Sequence, residues 1–318
     1  MMKVLVTGAN GFLGANICRR LLKANHDVYA VCQKTTGWRL HGIRKQIQPV
    51  IADISYKPKI SHALQTIKPD AIIHMAAYGA YPLLQKDMQR MLMVNYVGLS
   101  NILDSYNKYE VMINAGSSSQ YGHCEQPMGE NDRCMPMDYY GASKLAAEEL
   151  CQTHTRRTGA PIINTRLFSA YGPYEEATRL VPSTIIKCID GKQIKLTSGM
   201  QCRDFIHTPD IENAYMSLLK RPYLAGETFN IGTGQEHSVR TIVRAIHTET
   251  RSASLLEWGT VPDRENNPPH WRANPDKSGR VFGWEAKTNL KDGIRETVKW
   301  MKRHRKEYPT TAQEAWGL

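Results

Sequence analysis

The sequence predicts an α/β fold: a doubly wound parallel sheet with helices on both faces, and a smaller α/β C-terminal domain interleaved with it. Three observations carry that expectation. The first thirty residues run apolar stretch, glycine-rich turn, helical pattern, second apolar stretch. Strand and helix patterns then keep alternating, which is how parallel strands joined by crossover helices read. The chain has 318 residues, 41% hydrophobic and 22% charged, enough for one large or two modest cores.

The elements follow in order. Lys3–Thr7 is a short apolar run suited to a buried strand, and Asp27–Val31 is a second. Between them lie Gly8, Asn10, Gly11, Phe12, Leu13 and Gly14, then a helical pattern from Ala15 to Leu22. Three glycines at this spacing, between strand and helix, suit a dinucleotide. One makes the tight turn, one lets backbone approach a pyrophosphate, and one lets helix pack on strand. The helix N-terminus then faces the phosphates with unpaired N–H groups.

The end of the second strand is where a carboxylate would accept the ribose 2′-hydroxyl of NAD. That place holds Cys32, Gln33, Lys34, Thr35 and Thr36, with no acid. Lys34 and the threonine hydroxyls suit a 2′-phosphate, so NADP(H) is favoured and NAD(H) remains open.

Gln48–Asp53 reads as a third strand. Asp53, followed by Ile54, either accepts from an adenine amino group or caps the next helix. Asp70–Ala77 is a fourth strand whose small last residues, Ala76 and Ala77, leave room for a cofactor. Met88–Tyr106 is a helix pattern containing Asn95, and Glu110–Ala115 is a fifth strand. Ser117, Ser118 and Ser119 follow it, at the strand ends where ligands bind in such sheets. Tyr140 and Lys144 share one face of a helix running to about Arg157. An ammonium beside a phenol favours phenolate, so Lys144 is expected to lower the pKa of Tyr140 into a useful range.

From Pro173 the alternation loosens. Helices are expected at Leu180–Ile189, Pro209–Lys220, Val239–Thr248 and, amphipathic, Leu290–Lys306. Short strands are expected at Ile194–Leu196 and Thr228–Ile231, and a Pro- and Asn-rich loop at Trp258–Trp271. The expected division is 1–172 for the dinucleotide and 173–318 for the substrate, with segments near 204–232 returning to the first domain.

Composition narrows the function classes. Lys plus Arg number 41 against 30 Asp plus Glu, a net +11, which suits an acidic small molecule. The basic residues are scattered and not interleaved with aromatics, which argues against nucleic acid. The seven cysteines include no CxxC pair, so neither a disulfide framework nor a zinc site is expected. No apolar run is long enough to span a bilayer, and Met1-Met2-Lys3 leads straight into a strand pattern. A cytoplasmic protein with no metal and no membrane partner is the expectation.

Taken together, these residues resemble the extended short-chain dehydrogenase/reductases, in their nucleotide-sugar epimerase, dehydratase and reductase branch. The resemblance covers nearly the whole chain. It runs from Thr7–Gly14 through His74–Ala77, Ser117–Gly122, Tyr140–Lys144 and Arg166–Pro173 to Arg203–His207 and Phe229–Gly234. It implies a Rossmann-type fold, with Tyr140 as general acid/base, Lys144 on the nicotinamide ribose, and Ser117 on the reacting sugar oxygen. It also implies that Phe168 lies near the nicotinamide, Ser118 and Ser169 near the sugar, and Arg203 and Arg264 on the nucleotide diphosphate, where a guanidinium fork suits the ligand. Members of the branch dimerise through a four-helix bundle, so Met88–Tyr106 and Tyr140–Arg157 are expected to form a homodimer.

Departures from the branch's patterns select within it. Where 4,6-dehydratases carry Asp-Glu after the catalytic Thr, this chain has Ser118 and Ser119; where epimerase-reductases carry Cys, it has Ser119. Two readings remain. One is an NADPH-dependent reductase of a 4-keto-6-deoxy nucleotide sugar, similar to the enzymes that finish CDP-abequose or CDP-paratose. The other is a nucleotide-sugar 4-epimerase holding NAD. From other classes, a non-catalytic RNA- or nucleotide-binding relative and a nicotinamide-sensing regulator also stand as alternatives.

Overall fold

The structure is a computed structural model that describes residues 1–81, 84–263 and 267–308. Its first half is laid down as β1 (Lys3–Thr7), α1 (Phe12–Lys23), β2 (Asp27–Cys32), β3 (Gln48–Ile51), α2 (Lys57–Ile67) and β4 (Ala71–His74). Next come α3 (Met88–Leu92), α4 (Gly98–Ser105), β5 (Val111–Ser117), α5 (Tyr139–Thr158) and β6 (Ile162–Leu167). The remainder comprises β7 (Ser169–Tyr171), α6 (Leu180–Ile189), β8 (Ile194–Lys195), β9 (Cys202–Arg203), β10 (Phe205–His207), α7 (Thr208–Leu218), β11 (Thr228–Ile231) and β12 (His237–Ser238). It closes with α8 (Val239–Thr250), β13 (Leu256–Glu257), α9 (Asp276–Phe282) and α10 (Leu290–His304).

Seven strands form one parallel sheet in the order β11-β6-β5-β4-β1-β2-β3. Chain order reverses beside β1, so β1 and β4 flank the crevice where a ligand is expected in such a sheet. Side chains alternate between the faces, and both faces are apolar. Val4, Val6, Ile73 and Ile113 join one cluster, with Ile17 and Leu21 of α1 and Ile211 and Tyr215 of α7. Leu5, Ile72 and Met112 join the other, with Ile60 and Leu64 of α2, Leu99 and Ile102 of α4, and Cys151 of α5. A third cluster binds α6, α8 and α10 through Ile185, Ile242, Val243 and Val298.

Two differences from the sequence-based expectation bear on the site. The stretch Met88–Tyr106 is not one regular helix. Met93–Val97 adopts a π turn between α3 and α4. The widened turn carries Asn95, whose amide is buried and fully engaged by the protein, and such turns recur at functional sites. Strand β6 was absent from the expectation because its apolar run is interrupted by Asn164, Thr165 and Arg166. All three are buried, and partners elsewhere in the chain engage them: Asn114 at 2.9 Å, the Tyr215 hydroxyl at 2.6 Å and Glu148 at 2.6 Å.

Candidate active site

The glycine turn is built for close approach. Gly8 has φ +66°, and a Cβ there would lie 2.7 Å from the backbone of Ala76. A Cβ on Gly14 would collide with the Gly8 carbonyl, so α1 starts directly against the turn. Helix α1 has no side-chain N-cap and no acid in its first turn, leaving its positive end for an anion. Asn10 fastens the turn to the segment after β2: its Nδ2 donates to the Thr35 carbonyl and its Oδ1 accepts from the Gly37 N–H at 2.6 Å. Phe12 and Leu13 open α1 and are half-buried. This cradle fits the pyrophosphate of a dinucleotide.

At the end of β2 the Cys32 side chain turns into the core, where burial pushes its thiol up to about 11. It therefore contributes to cofactor choice only by not being a carboxylate. Lys34 is exposed on the following turn. Asp53 does not cap α2, whose N-cap is Tyr56. Its carboxylate accepts from Gln33 at 2.8 Å and from the Ser55 N–H and hydroxyl at 2.9 and 2.7 Å. Burial would raise Asp53, but those bonds outweigh it and hold the carboxyl below its usual range. An acid is thus brought beside the end of β2 from the neighbouring strand. The Ile54 side chain packs against Gly98 of α4, and its carbonyl accepts from Asn101 at 2.9 Å. Ala76 donates its N–H to the Thr7 hydroxyl at 3.2 Å, and Ala77 is exposed beside it.

Asn95 was expected on the cofactor. Its Oδ1 accepts from the Tyr78 N–H at 2.7 Å, and its Nδ2 donates to the Tyr78 carbonyl and the Ser143 hydroxyl at 2.9 and 2.8 Å. It ties the loop after β4 to α5, one residue before Lys144.

The catalytic candidates converge at the carboxyl end of the sheet. Ser117 ends β5 and caps a 3-10 turn over Ser118–Gln120, accepting from the Ser119 N–H at 3.1 Å. Asp138 caps α5 by accepting from the Gly141 N–H at 2.7 Å, which fixes the turn carrying Tyr140. The expected lowering of Tyr140 is not found. Burial pushes its phenol up to about 12, opposed chiefly by a hydrogen bond with Ser117. Lys144 is not among the chief groups acting on it. That ammonium is buried toward Cys151 and Glu148, and burial brings it down to about 8. Sharing a helix face was not enough, because desolvation of the phenol is the larger effect.

Behind these residues lies a buried ion pair. Arg166 donates to Glu148 through Nη2 at 2.6 Å and Nε at 3.1 Å, while Gln120 donates to the same carboxylate at 2.7 Å and caps the Ser117 backbone. The Ser118 hydroxyl accepts from the Trp271 indole at 2.9 Å. Phe168 is buried against Tyr121, Met128 and Ala273.

A cleft of about 550 Å³ is lined among others by Tyr81, Ser169, Glu175, Arg179, Lys187, Lys195 and Arg203; Ser117, Tyr140 and Lys144 are not on its wall, and Tyr81 and Arg179, which act on Tyr140, connect the two. Arg203 donates to the Pro268 carbonyl at 2.9 Å and to Asn267, with its guanidinium 5.7 Å from the Trp271 ring centre. The neighbouring Asp204 accepts from the N–H groups of Thr233, Gly234 and Ala273 at 2.9 to 3.2 Å, which explains the coupling of the Arg-Asp and Gly-Thr-Gly motifs. Arg264 lies outside the described residues. Sequence reasoning missed Glu148, Trp271, Glu175 and Arg179. The last two sit four apart just after Tyr171-Gly172-Pro173, in the turn before α6, where no helical or strand period marks them.

Comparison with known proteins places this geometry. Residues 4–232 match the family model described as NAD dependent epimerase/dehydratase family. An uncharacterised UDP-glucose epimerase of Bacillus subtilis (strain 168) is 26% identical over 313 residues, covering 94% of this chain and 98% of that one. The dTDP-glucose 4,6-dehydratase 1 of Escherichia coli (strain K12) is 26% identical over 337 residues, covering 94% and 92%. Among solved structures, UDP-glucose 4-epimerase from Thermotoga maritima with UDP-glucose superposes with TM-score 0.90 at 21% identity, covering 96% of this chain and 100% of that one. UDP-glucuronic acid 4-epimerase from Bacillus cereus, in complex with UDP-glucuronic acid and NAD, gives 0.86 at 25% identity, covering 95% and 99%. With a match over most of its length, its seven-stranded parallel sheet and its glycine turn against α1, the chain belongs to the NAD-dependent epimerase/dehydratase family of enzymes.

Proposed function

We propose that this protein is a nucleotide-sugar oxidoreductase that reduces the C4 ketone of a 4-keto-6-deoxy sugar nucleotide. The observation that carries the reading is the Ser117, Tyr140 and Lys144 group at the carboxyl edge of the sheet, with serines at 118 and 119 where a dehydration would need an acid–base pair. The turn at Gly8–Gly14 and the start of α1 would hold the dinucleotide pyrophosphate, with Asp53 and the segment Cys32–Lys34 at its adenosine end. When bound, that dinucleotide supplies the hydride. The protein's own part is acid catalysis. Tyr140, protonated through neutral pH, passes its phenolic proton to the C4 oxygen as charge grows there. The Ser117 hydroxyl hydrogen donates to the same oxygen. Lys144 supplies a buried positive field behind them, and Arg203 binds the diphosphate.

NADP(H) is the favoured cofactor, because Lys34 is exposed near the ribose end and no residue from Cys32 to Thr36 is acidic. A 4-epimerase with resident NAD is the second reading, favoured by Asp53 beside Gln33 and by the epimerases among the relatives. Denaturing the purified protein and identifying the released dinucleotide separates the two. Exchangeable NADPH, bound more tightly than NADH, supports the reductase; tightly held NAD without NADPH preference supports the epimerase.

We read residues 1–172 as the dinucleotide-binding part and 173–318 as the sugar-nucleotide part, with 204–232 returning to the first. We also propose a homodimer formed by the α3–α4 and α5 faces. Met88, Leu92, Met93, Tyr96 and Tyr139 are large, exposed and close to that face. A monomer mass in light scattering at micromolar concentration would overturn it. Among the described residues no helix is long and apolar enough to cross a membrane.

A further inference from the structure

Glu175 lies on the turn between β7 and α6 and is 4% exposed, yet it lines the cleft. One of its oxygens, Oε2, has no hydrogen-bond partner among the described residues. The other stands 3.9 Å from Arg179 Nε, too far for a good hydrogen bond, and the carboxyl's own hydrogen bond is with the Gly172 backbone. Buried carboxylate oxygens are ordinarily satisfied, so a bare one on a cleft wall is an acceptor awaiting a donor. Its neighbour Glu176 also has an unpartnered oxygen, Oε1, but its Oε2 is held by Arg39 at 3.1 Å and it does not line the cleft.

We propose that Glu175 is a sugar-recognition residue, its carboxyl accepting a hydrogen bond from one hydroxyl of the hexose in a bound nucleotide sugar. The inference rests on the nucleotide-sugar reading above and specifies it. A diphosphate is better served by the cleft's cations, Lys187, Lys195 and Arg203. An ammonium group is disfavoured because Arg39 and Arg179 already act on Glu175 as countercharges. A neutral hydroxyl donor remains. Arg179 acts on both Glu175 and Tyr140, and Tyr81 feels Glu175 and acts on Tyr140, so the contacted hydroxyl belongs on the side of the sugar toward the reacting carbon. The Arg179 guanidinium covers the Tyr81 ring at 5.6 Å, closing the same wall.

The test is a double comparison of affinities. UDP-, dTDP-, CDP- and GDP-glucose are titrated calorimetrically into the wild-type protein, and the tightest is then compared with its monodeoxy sugar analogues. In the wild type one deoxy position should weaken binding by roughly 10- to 100-fold, because the missing hydroxyl leaves a buried carboxyl oxygen unpaired. In Glu175→Leu the parent compound should weaken by a similar factor and that deoxy penalty should vanish. Glu175→Gln keeps an acceptor and should retain part of the penalty, which keeps the test open if the leucine variant fails to fold. Binding with deoxy penalties unchanged in the variants overturns the role of Glu175 alone. No binding of any of the four by the wild type overturns the nucleotide-sugar reading and this inference with it.

Discussion

Arg166 holds Glu148 with two hydrogen bonds, 2.6 and 3.1 Å long, and both side chains are buried. Burial is the largest single effect on Arg166 and lowers it, but the hydrogen bond and charge of Glu148, with Tyr121 adding, outweigh it and raise Arg166 above its usual range. The pair connects α5, which carries Tyr140 and Lys144, to β6, and through Gln120 to the turn that starts at Ser117. Removing Glu148 leaves a buried guanidinium without its countercharge. Glu148→Ala should therefore cost about 3–5 kcal/mol of stability. Chemical denaturation measures this directly, and a loss below about 1 kcal/mol would show that water replaces the carboxylate.

Tyr140→Phe removes the proton donor and leaves the glycine turn untouched. Turnover should fall by about 10²- to 10⁴-fold while dinucleotide affinity changes little. Steady-state rates and a cofactor titration on the same preparation check it; retained activity would remove Tyr140 from the chemistry.

The pH dependence of stability follows from Glu175, Glu212, His74 and His207. Burial raises Glu175 to about 8 and Glu212 to about 7, so between the ordinary carboxylate range and those values the native state binds more protons than the unfolded chain. Stability falls as pH rises through that window. Burial lowers His74 to about 3, with Lys144 adding to it, and lowers His207 to about 4. There the unfolded chain binds more protons, and stability falls as pH drops below the ordinary histidine range. The two effects oppose one another in between, so the melting temperature should peak near about pH 5–6. Glu175→Gln should flatten the alkaline side, and an unchanged alkaline slope would mean that Glu175 ionises freely in the native protein.

Cofactor choice has its own test. Lys34→Ala removes an exposed positive charge from the end of β2. If it faces a 2′-phosphate, KM for NADPH should rise by roughly tenfold while KM for NADH stays constant. Equal effects on both would assign Lys34 to the solvent.

Trp271→Phe keeps the aromatic bulk against Arg203 and deletes only the donor to Ser118. The lost bond should cost about 0.5–1.5 kcal/mol. Because it ties the loop after Asn267 to the Ser117 turn, the effect should appear in KM for the sugar nucleotide more than in dinucleotide affinity. A change confined to the melting temperature would make the contact purely structural.

The fold was legible wherever local pattern and burial agree. Strands β1, β2 and β4, helix α1 and the glycine turn follow from apolar runs and glycine spacing, and they match the sheet centre. Strand β6 was not legible, because buried Asn164, Thr165 and Arg166 look like loop residues until Asn114, Tyr215 and Glu148 are brought to them. The π turn at Met93–Val97 has no sequence mark of its own; it goes with the engagement of Asn95 by Tyr78 and Ser143.

The amino-acid order alone determined the turn at Gly8–Gly14 and the spacing of Tyr140 from Lys144. These are short-range features, fixed by steric freedom and helical pitch. Only the tertiary structure decided what those groups experience. Burial raises the Tyr140 phenol despite its i,i+4 lysine, Cys32 turns into the core, and Asp53 reaches the end of β2 from the next strand. Glu175, unremarkable in the sequence, ends with a bare oxygen on the cleft wall. Desolvation and countercharge come from segments far apart in the chain, and no local pattern encodes them.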